Sequence, residues 1–229
     1  MMKKNLKDTM NVQYKVTNMY NQIPFPEYGD KPLDERYVRE KEHIDLCLDF
    51  DGEGFSIYKD KKVLDAGAGT CRESMYIASK GGKVTSLDVT KKSLEVGEKF
   101  SNKYNFSSPI NFKLGSVLEL PFEDESFDIV LSSGVIHHTA EPEKAFSELA
   151  RVCKQDGYVI LFVYDNWAHT ISNIRRSIVN IICGNDIHKR AIVAQKVFPF
   201  YCKRNTLATI YDEFSHPHKS EHSLKEITG

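Results

Sequence analysis

The sequence predicts an α/β fold in which a mostly parallel, doubly wound sheet is flanked by helices. Short apolar runs alternate with helical patterns from residue 61 onward, and this alternation is typical of a parallel sheet wrapped by helices. Two of the runs end on a carboxylate, at Asp65 and at Asp88. Gly67 and Gly69 follow the first run, and they favour a sharp turn because glycine adopts backbone angles that other residues avoid.

Each predicted strand is a short apolar run, and each predicted helix shows amphipathic spacing between two such runs. We place the strands at 62–65, 83–87, 110–114, 127–132 and 157–164, and the helices at 71–80, 91–104 and 141–153. We expect Gly81 and Gly82 to end the first helix, Thr90 to cap the second and Pro142 to begin the third.

The chain divides into three predicted regions. Residues 1–60 form an N-terminal helical and lid segment, residues 61–165 the core, and residues 166–229 a helical cap or substrate segment. In the first region, prolines on both sides of Phe25 stiffen the strip Tyr20–Tyr28. This strip either lies over a ligand pocket or acts as a linker that packs Phe25 on the core. The most periodic stretch before the sheet is Leu33–Phe50, which predicts a helix.

The region after the predicted fifth strand is basic. Residues 165–205 hold seven Lys or Arg against two Asp, and Ile171, Ile174, Ile178 and Ile181 recur at helical spacing. The pattern predicts an amphipathic helix, either on the surface of a cap or in contact with an anionic substrate, carrier or membrane surface. No two further strands are evident after residue 165, so we expect this region to be truncated. We also expect the fifth strand to leave an open edge for another copy or a partner chain.

The composition gives no general affinity for nucleic acid, because the net charge is −1. The five cysteines include no Cys-x-x-Cys pair, which predicts free thiols in a reducing compartment. The polar start Met1–Met10 carries no secretory signal. Ile171–Cys183 is too short to span a membrane and contains two arginines. We therefore expect a cytoplasmic protein without a transmembrane segment.

The glycine loop helps to separate two classes of adenosine cofactor. A dinucleotide loop has the pattern Gly-x-Gly-x-x-Gly, in which the third glycine lets the helix pack close to the strand, but Arg72 occupies that position here. Asp65 would also lie near the two phosphate charges of a dinucleotide, whereas it suits a positively charged ammonium or sulfonium. S-adenosylmethionine carries both cations. The sequence therefore favours S-adenosylmethionine and leaves a nicotinamide dinucleotide as the weaker alternative.

Five motifs in order carry a family resemblance: Asp65–Thr70, Asp88, Leu120–Phe122, Phe127–Val130 and Arg151–Tyr158. With this spacing, residues 61–165 resemble the class I S-adenosylmethionine-dependent methyltransferases, in particular the group that acts on small molecules, lipids, quinones and sugars. The resemblance implies a Rossmann-like fold. It also implies seven strands with a final antiparallel pair, and the chain shows no convincing match to that pair.

The resemblance, together with the predicted strand ends, assigns the cofactor contacts. We expect the amino-acid end of the cofactor at Asp65, Gly67, Ala68, Gly69 and Thr70, and its methionine side also at Ser133. We expect the ribose at Asp88 and the adenine at Val89, Ser116 and Val117. Related enzymes often place an aspartate on the adenine where Ser116 stands.

Two adjacent histidines follow the fourth predicted strand. His137 or His138 could accept a proton from a hydroxyl acceptor, since imidazole titrates near neutral pH; the alternative is that one of them caps or packs the following helix. His216, His218 and His222 are more consistent with a solvated segment than with a metal site.

These observations predict a metal-free methyltransferase that aligns S-adenosylmethionine with a small-molecule acceptor. Two alternatives stay open. One is an inactive or truncated subunit that binds S-adenosylmethionine, and the other is an NAD-dependent oxidoreductase.

Overall fold

A computed structural model of the chain describes residues 6–25, 56–104, 106, 109–163, 170–184, 186–199, 210 and 213–214. Its helices are α1 (Leu6–Gln22), α2 (Arg72–Ser79), α3 (Lys91–Ser101), α4 (Pro142–Val152), α5 (Thr170–Cys183) and α6 (Ile187–Val197). Its strands are β1 (Lys62–Ala66), β2 (Lys83–Asp88), β3 (Asn111–Leu114), β4 (Phe127–Ser133) and β5 (Cys153–Phe162). Short 3-10 turns lie at Ser56–Tyr58 and Ile136–His138. The predicted helix within Leu33–Phe50, together with Tyr28, His216, His218 and His222, lies outside the described residues.

The five strands form one sheet in the order β3-β2-β1-β4-β5, and every neighbouring pair is parallel. The chain moves outward from β1 to β3 and then crosses back to place β4 on the other side of β1. Ligands of open α/β sheets bind above the carboxyl ends of the strands at such a reversal. Asp65 lies there, opposite Ser86 of β2 and Leu131 of β4.

Two apolar clusters cover the two faces of the sheet, which confirms the doubly wound prediction. Val63, Ile129 and Leu131 pack with Met75 and Ile77 of α2 on one face. On the other face, the neighbouring strand residues Leu64 and Val130 pack with Leu149 of α4. The alternation follows from the two-residue period of a strand. Fully burying each such side chain contributes about 1.5–3 kcal/mol.

The ends of the helices match the sequence signals. Gly81 has a φ of 90°, and the N–H groups of Gly81 and Gly82 donate to the carbonyls of Ala78 and Ile77. This is the hydrogen-bond pattern of a Schellman motif. Pro142 is the first residue of α4, as predicted.

The predicted start of the fifth strand at 157 is wrong. Strand β5 begins at Cys153, directly after α4, and its register with β4 is irregular: Phe127 pairs with Cys153 but Ile129 pairs with Tyr158. The polar residues Lys154-Gln-Asp156 occupy this bulge. The start of β5 therefore lacks the apolar pattern that predicts a strand from the sequence. Gly157 lies so close to β4 that an added Cβ would be 2.6 Å from the carbonyl oxygen of Asp128.

Helices α5 and α6 pack against each other and share a third cluster with Ile23 at the end of α1. Three of the isoleucines at helical spacing are not residues that α5 buries there. Val179 is fully buried, whereas Ile174, Ile178 and Ile181 are exposed. These three isoleucines therefore face away from the third cluster.

Strand β5 is an edge strand within the part of the sheet that the structure describes, and Tyr158 on it is 53% exposed. The described residues contain no strand beyond it. No helix among them has the length and apolar character needed to cross a membrane.

Candidate cofactor-binding site

The loop between β1 and α2 turns sharply, as the glycines predict. Gly67 and Gly69 have φ angles of 86° and 53°, in the left-handed region that favours glycine. The N–H groups of Gly67 and Ala68 both donate to the carbonyl of Leu87, at 2.7 and 2.9 Å. An added Cβ on Gly67 would be 2.4 Å from the side chain of Val135. The loop is therefore fixed between β2 and the segment that follows β4.

Cys71 completes the turn and precedes α2. Its φ is 66°, which is unusual for a residue with a side chain. The side chain is fully buried, and an added Cβ on Gly97 of α3 would be 2.6 Å from its Sγ. Burial raises the pKa of the Cys71 thiol, and Asp65 adds to the effect. The role of Cys71 is therefore to pack the loop against α3.

Asp65 is the buried acid at the end of β1, only 2% exposed. It accepts a 2.5 Å hydrogen bond from the hydroxyl of Ser74, which in turn accepts a 2.6 Å bond from the hydroxyl of Ser86. Burial and, to a smaller extent, the charge of Glu73 raise the pKa of Asp65 to about 7, even though the Ser74 hydrogen bonds act to lower it. Neither serine was predicted from the sequence, because no local motif marks them.

Asp88 connects the glycine loop to the start of α3. Its Oδ2 accepts a 2.9 Å bond from the N–H of Gly69, and its Oδ1 accepts bonds from the N–H and the hydroxyl of Thr90, at 2.8 and 2.7 Å. Burial raises the pKa of Asp88, and the bonds from Thr90 and Gly69 oppose that shift. A ribose would share these oxygens, because a carboxylate has about four acceptor sites.

Thr90 stands at the N-cap of α3, as predicted, but its side chain makes no capping bond to the helix amides. Its hydroxyl lies 2.7 Å from Asp88 Oδ1 and also 2.7 Å from Ser93 Oγ. The threonine therefore orients Asp88.

The charges around the loop are mainly negative. Asp65 and Asp88 are both buried. Glu73 in the first turn of α2 pairs with Arg72 at 2.6 Å. Two desolvated carboxylates favour a cationic ligand and disfavour a pyrophosphate. This agrees with the preference for S-adenosylmethionine over a dinucleotide that Arg72 and Asp65 indicate in the sequence.

The segment after α1 reaches the loop. The carbonyl of Phe25 accepts a 3.1 Å hydrogen bond from the N–H of Thr70, and Ile23 packs in the third cluster beside Phe214. The described part of the predicted strip therefore bonds to the glycine loop through Phe25 and packs against the third cluster through Ile23. That this strip lies over a ligand pocket stays a prediction.

The comparisons with known proteins identify the domain that this loop belongs to. The methyltransferase domain family matches residues 64–161. These residues belong to that family.

Two curated relatives and one solved structure illustrate the methyltransferase domain. The chain is 31% identical over 143 residues to the uncharacterized methyltransferase YcgJ of Bacillus subtilis (62% of this chain, 54% of the relative). It is 33% identical over 137 residues to the demethylmenaquinone methyltransferase of Clavibacter sepedonicus (60% and 51%). The crystal structure of YcgJ from Bacillus subtilis has a TM-score of 0.51 at 25% identity, over 61% of this chain and 59% of that one.

These likenesses confirm the class I methyltransferase assignment and its Rossmann-like fold. The matched segment spans about half the length of the two curated relatives. The family gives no support to the NAD-dependent oxidoreductase alternative.

In the methyltransferase domain, the end of β4 lies beside the end of β1. The hydroxyl of Ser132 donates a 3.0 Å bond to the carbonyl of Ala66, and Ser133, the predicted methionine-side contact, is half-buried at the carboxyl end of the strand. Ser132 joins the two strand ends and was not anticipated from the sequence.

The two histidines of the 3-10 turn after β4 pack against each other, with ring centroids 4.2 Å apart. His137 is fully buried and His138 is 6% exposed. A fully buried imidazole cannot touch an acceptor without rearrangement, so the burial favours the packing interpretation for His137. The role of His138 as a base stays a prediction.

The predicted adenine contacts lie around the end of β3 and the end of β2. Gly115 N–H donates a 2.9 Å bond to the carbonyl of Asp88, which brings the next residue, Ser116, near the second acid. The Ser116 hydroxyl accepts a 3.2 Å bond from Leu118 N–H and so stabilises a turn. Val117 is buried in the second cluster, and Val89 is half-buried.

No group of His, Cys, Asp or Glu side chains within the described part of the chain has the arrangement of a metal site. Cys71, Cys153 and Cys183 are free thiols.

Proposed function

We propose that this chain binds S-adenosylmethionine and transfers its methyl group to a small-molecule acceptor. One observation carries the proposal: Asp65 and Asp88, buried at the carboxyl ends of adjacent strands, flank a glycine loop whose Gly69 N–H is bonded to Asp88. The membership of residues 64–161 in the methyltransferase domain family supports the same reaction.

The donor set of the site fits this cofactor. Asp65 is a desolvated carboxylate, which gains most from a nearby cation, and we assign it to the ammonium and sulfonium end. Gly67, Ala68, Gly69 and Thr70 present backbone close to that end, and Ser133 contributes from β4. Asp88 is assigned to the ribose, and the adenine to the set Val89, Ser116 and Val117.

The cofactor supplies a methyl group that its own positive charge activates. The protein's part is therefore mainly alignment of the acceptor. The glycine loop after β1 is held between β2 and Val135, and it therefore provides a rigid support for that alignment. His138, which keeps some solvent access, is the residue we assign to take the proton of a hydroxyl acceptor.

The acceptor class to test first is a demethylated quinone. The support comes from the name of the Clavibacter relative and from the exposed isoleucines Ile174, Ile178 and Ile181 of the cap helix. A lipophilic acceptor would gain from contact with an exposed apolar surface.

A transfer assay tests the reaction. The purified chain is incubated with S-adenosylmethionine labelled on the methyl group and with demethylmenaquinone, and labelled product and S-adenosylhomocysteine are measured together. The proposal expects both to form in equal amounts, with His138→Gln slowing turnover at unchanged cofactor affinity. Cofactor binding without label transfer to any acceptor of a broad panel would contradict it.

A second candidate is a cofactor-binding subunit that needs a partner for turnover. The exposed β5 edge favours it, because an unpaired edge strand is a surface for pairing with another chain. Turnover that appears only after a partner chain is added would support this candidate.

A further inference from the structure

We propose that Ser74, supported by Ser86, is a positioning residue that keeps the Asp65 carboxylate ionised and fixed at the end of β1 for a cationic ligand. This inference rests on the proposed binding of S-adenosylmethionine. It concerns two serines that no motif marks and whose side chains are fully buried.

The three side chains come from three different elements. Ser86 of β2 is the register partner of Asp65 of β1, and Ser74 lies in the first turn of α2. The hydroxyl of Ser86 donates to Ser74 Oγ at 2.6 Å, and the hydroxyl of Ser74 donates to Asp65 Oδ2 at 2.5 Å. The backbone N–H of Ser74 also donates to Asp65. These bonds form a relay from Ser86 through Ser74 to Asp65. The relay holds the orientation of the Asp65 carboxylate.

The charged groups near Asp65 make this support necessary. Glu73 of α2 and Asp88 of β2 both raise the pKa of Asp65, in addition to the larger effect of burial. Arg72 of α2 pairs with Glu73, and the buried Cys71 thiol is neutral because burial raises its pKa. The Ser74 hydrogen bonds lower the pKa of Asp65 and so oppose the other groups.

Loss of the Ser74 hydroxyl would leave Asp65 mostly protonated at neutral pH. A neutral carboxylic acid no longer attracts an ammonium or a sulfonium by charge. The loss of affinity in a variant without the Ser74 hydroxyl should therefore depend on pH. It should be large where Asp65 of the variant is protonated, and small where Asp65 is ionised in both the variant and the unmodified chain. A purely structural role would weaken binding equally at every pH.

The test is a calorimetric titration with S-adenosylmethionine between pH 6 and pH 9, using Ser74→Ala, Ser86→Ala and Ser74→Thr. The readout is the ratio of the variant's dissociation constant to that of the unmodified chain. This ratio cancels the titration of the ligand's own amino group. Ser79→Ala is the matched control, because Ser79 lies at the other end of α2 and bonds to the carbonyl of Tyr76.

For Ser74→Ala we expect a ratio near one at pH 9 that rises to about tenfold at pH 6, as for a pKa that increases by about one unit. Ser86→Ala should shift the ratio in the same direction by less, and Ser74→Thr should restore it. Ser79→Ala should stay near one throughout. A ratio for Ser74→Ala that is the same at all pH values would overturn the proposal.

A second measurement separates this proposal from the proposed function. Carboxyl NMR of the ligand-free chain, with the Asp65 signal assigned through Asp65→Asn, gives the pKa of Asp65 directly. A higher pKa in Ser74→Ala than in the unmodified chain supports the relay even where no cofactor binds. An unchanged pKa refutes the relay even where S-adenosylmethionine binds well.

Discussion

The N–H of Gly69 donates a 2.9 Å hydrogen bond to Asp88 Oδ2 and so joins the loop after β1 to the end of β2. The proposed contact for the amino-acid end of the cofactor and the proposed ribose contact are therefore mechanically linked. A change at either residue should alter both ends of the site.

Asp88→Asn should destabilise the fold as well as weaken cofactor binding. The amide would place a donor against the N–H of Gly69 or of Thr90, and an unsatisfied buried donor costs about 1–3 kcal/mol. We expect a loss of about 3 kcal/mol in the free energy of unfolding, measured in urea. Asp128→Asn is the control: Asp128 is partly exposed and bonded to Lys154, and it should cost less than about 1 kcal/mol.

Gly67→Ala should destabilise the loop through two separate effects. The φ of 86° is unfavourable for alanine, and the new Cβ would be 2.4 Å from Val135. Gly134→Ala is the matched control, because Gly134 has a φ of 72° but no atom within 4 Å of an added Cβ. We expect about 1–2 kcal/mol for Gly134→Ala in urea unfolding and clearly more for Gly67→Ala. Equal losses would show that Val135 makes no close contact.

The free energy of unfolding should depend on pH through Asp65. Its pKa is about 7 in the folded chain and 3.8 in its ordinary state. The folded state therefore binds the proton more tightly, and this contribution to stability is largest below pH 4 and is lost as pH rises toward 7. Relative to Asp65→Asn, the unmodified chain should lose up to about 4 kcal/mol across that window. A difference between the two proteins that does not vary with pH would contradict the buried, protonatable Asp65.

The cysteines should differ in reactivity. Cys71 and Cys153 are buried, and burial raises the pKa of both thiols, whereas Cys183 is half-exposed. In the native chain at pH 8, iodoacetamide should modify Cys183 well before Cys71 or Cys153. Peptide mass mapping over time checks the order, and rapid labelling of Cys71 would mean that the loop opens.

The sequence was sufficient for the parts of the fold that depend on local patterns. The apolar runs located β1 to β4 closely, and the signals at Gly81, Gly82 and Pro142 correctly located helix ends. Strand β5 was misplaced at its start because its first residues are polar and occupy a bulge. The isoleucines of α5 show that helical spacing predicts a helix but not which of its faces is buried.

The site could be predicted only where one segment carries the signal. Gly67 and Gly69 are visible as a motif, whereas the Ser74–Asp65 and Ser86–Ser74 bonds join different elements and depend on the sheet register. The left-handed backbone conformation of Cys71 could not be predicted, because cysteine does not favour a positive φ. Contacts of this kind follow from tertiary packing and need the structure.

The proposed function requires that the loop between β1 and α2 binds S-adenosylmethionine. The most direct test is a calorimetric titration of the purified chain with S-adenosylmethionine and, in parallel, with NAD, using Asp88→Ala to remove the ribose contact and Asp128→Ala as control. We expect micromolar binding of S-adenosylmethionine that Asp88→Ala abolishes and Asp128→Ala retains. Binding of NAD alone, or of neither ligand by a folded chain, would contradict it.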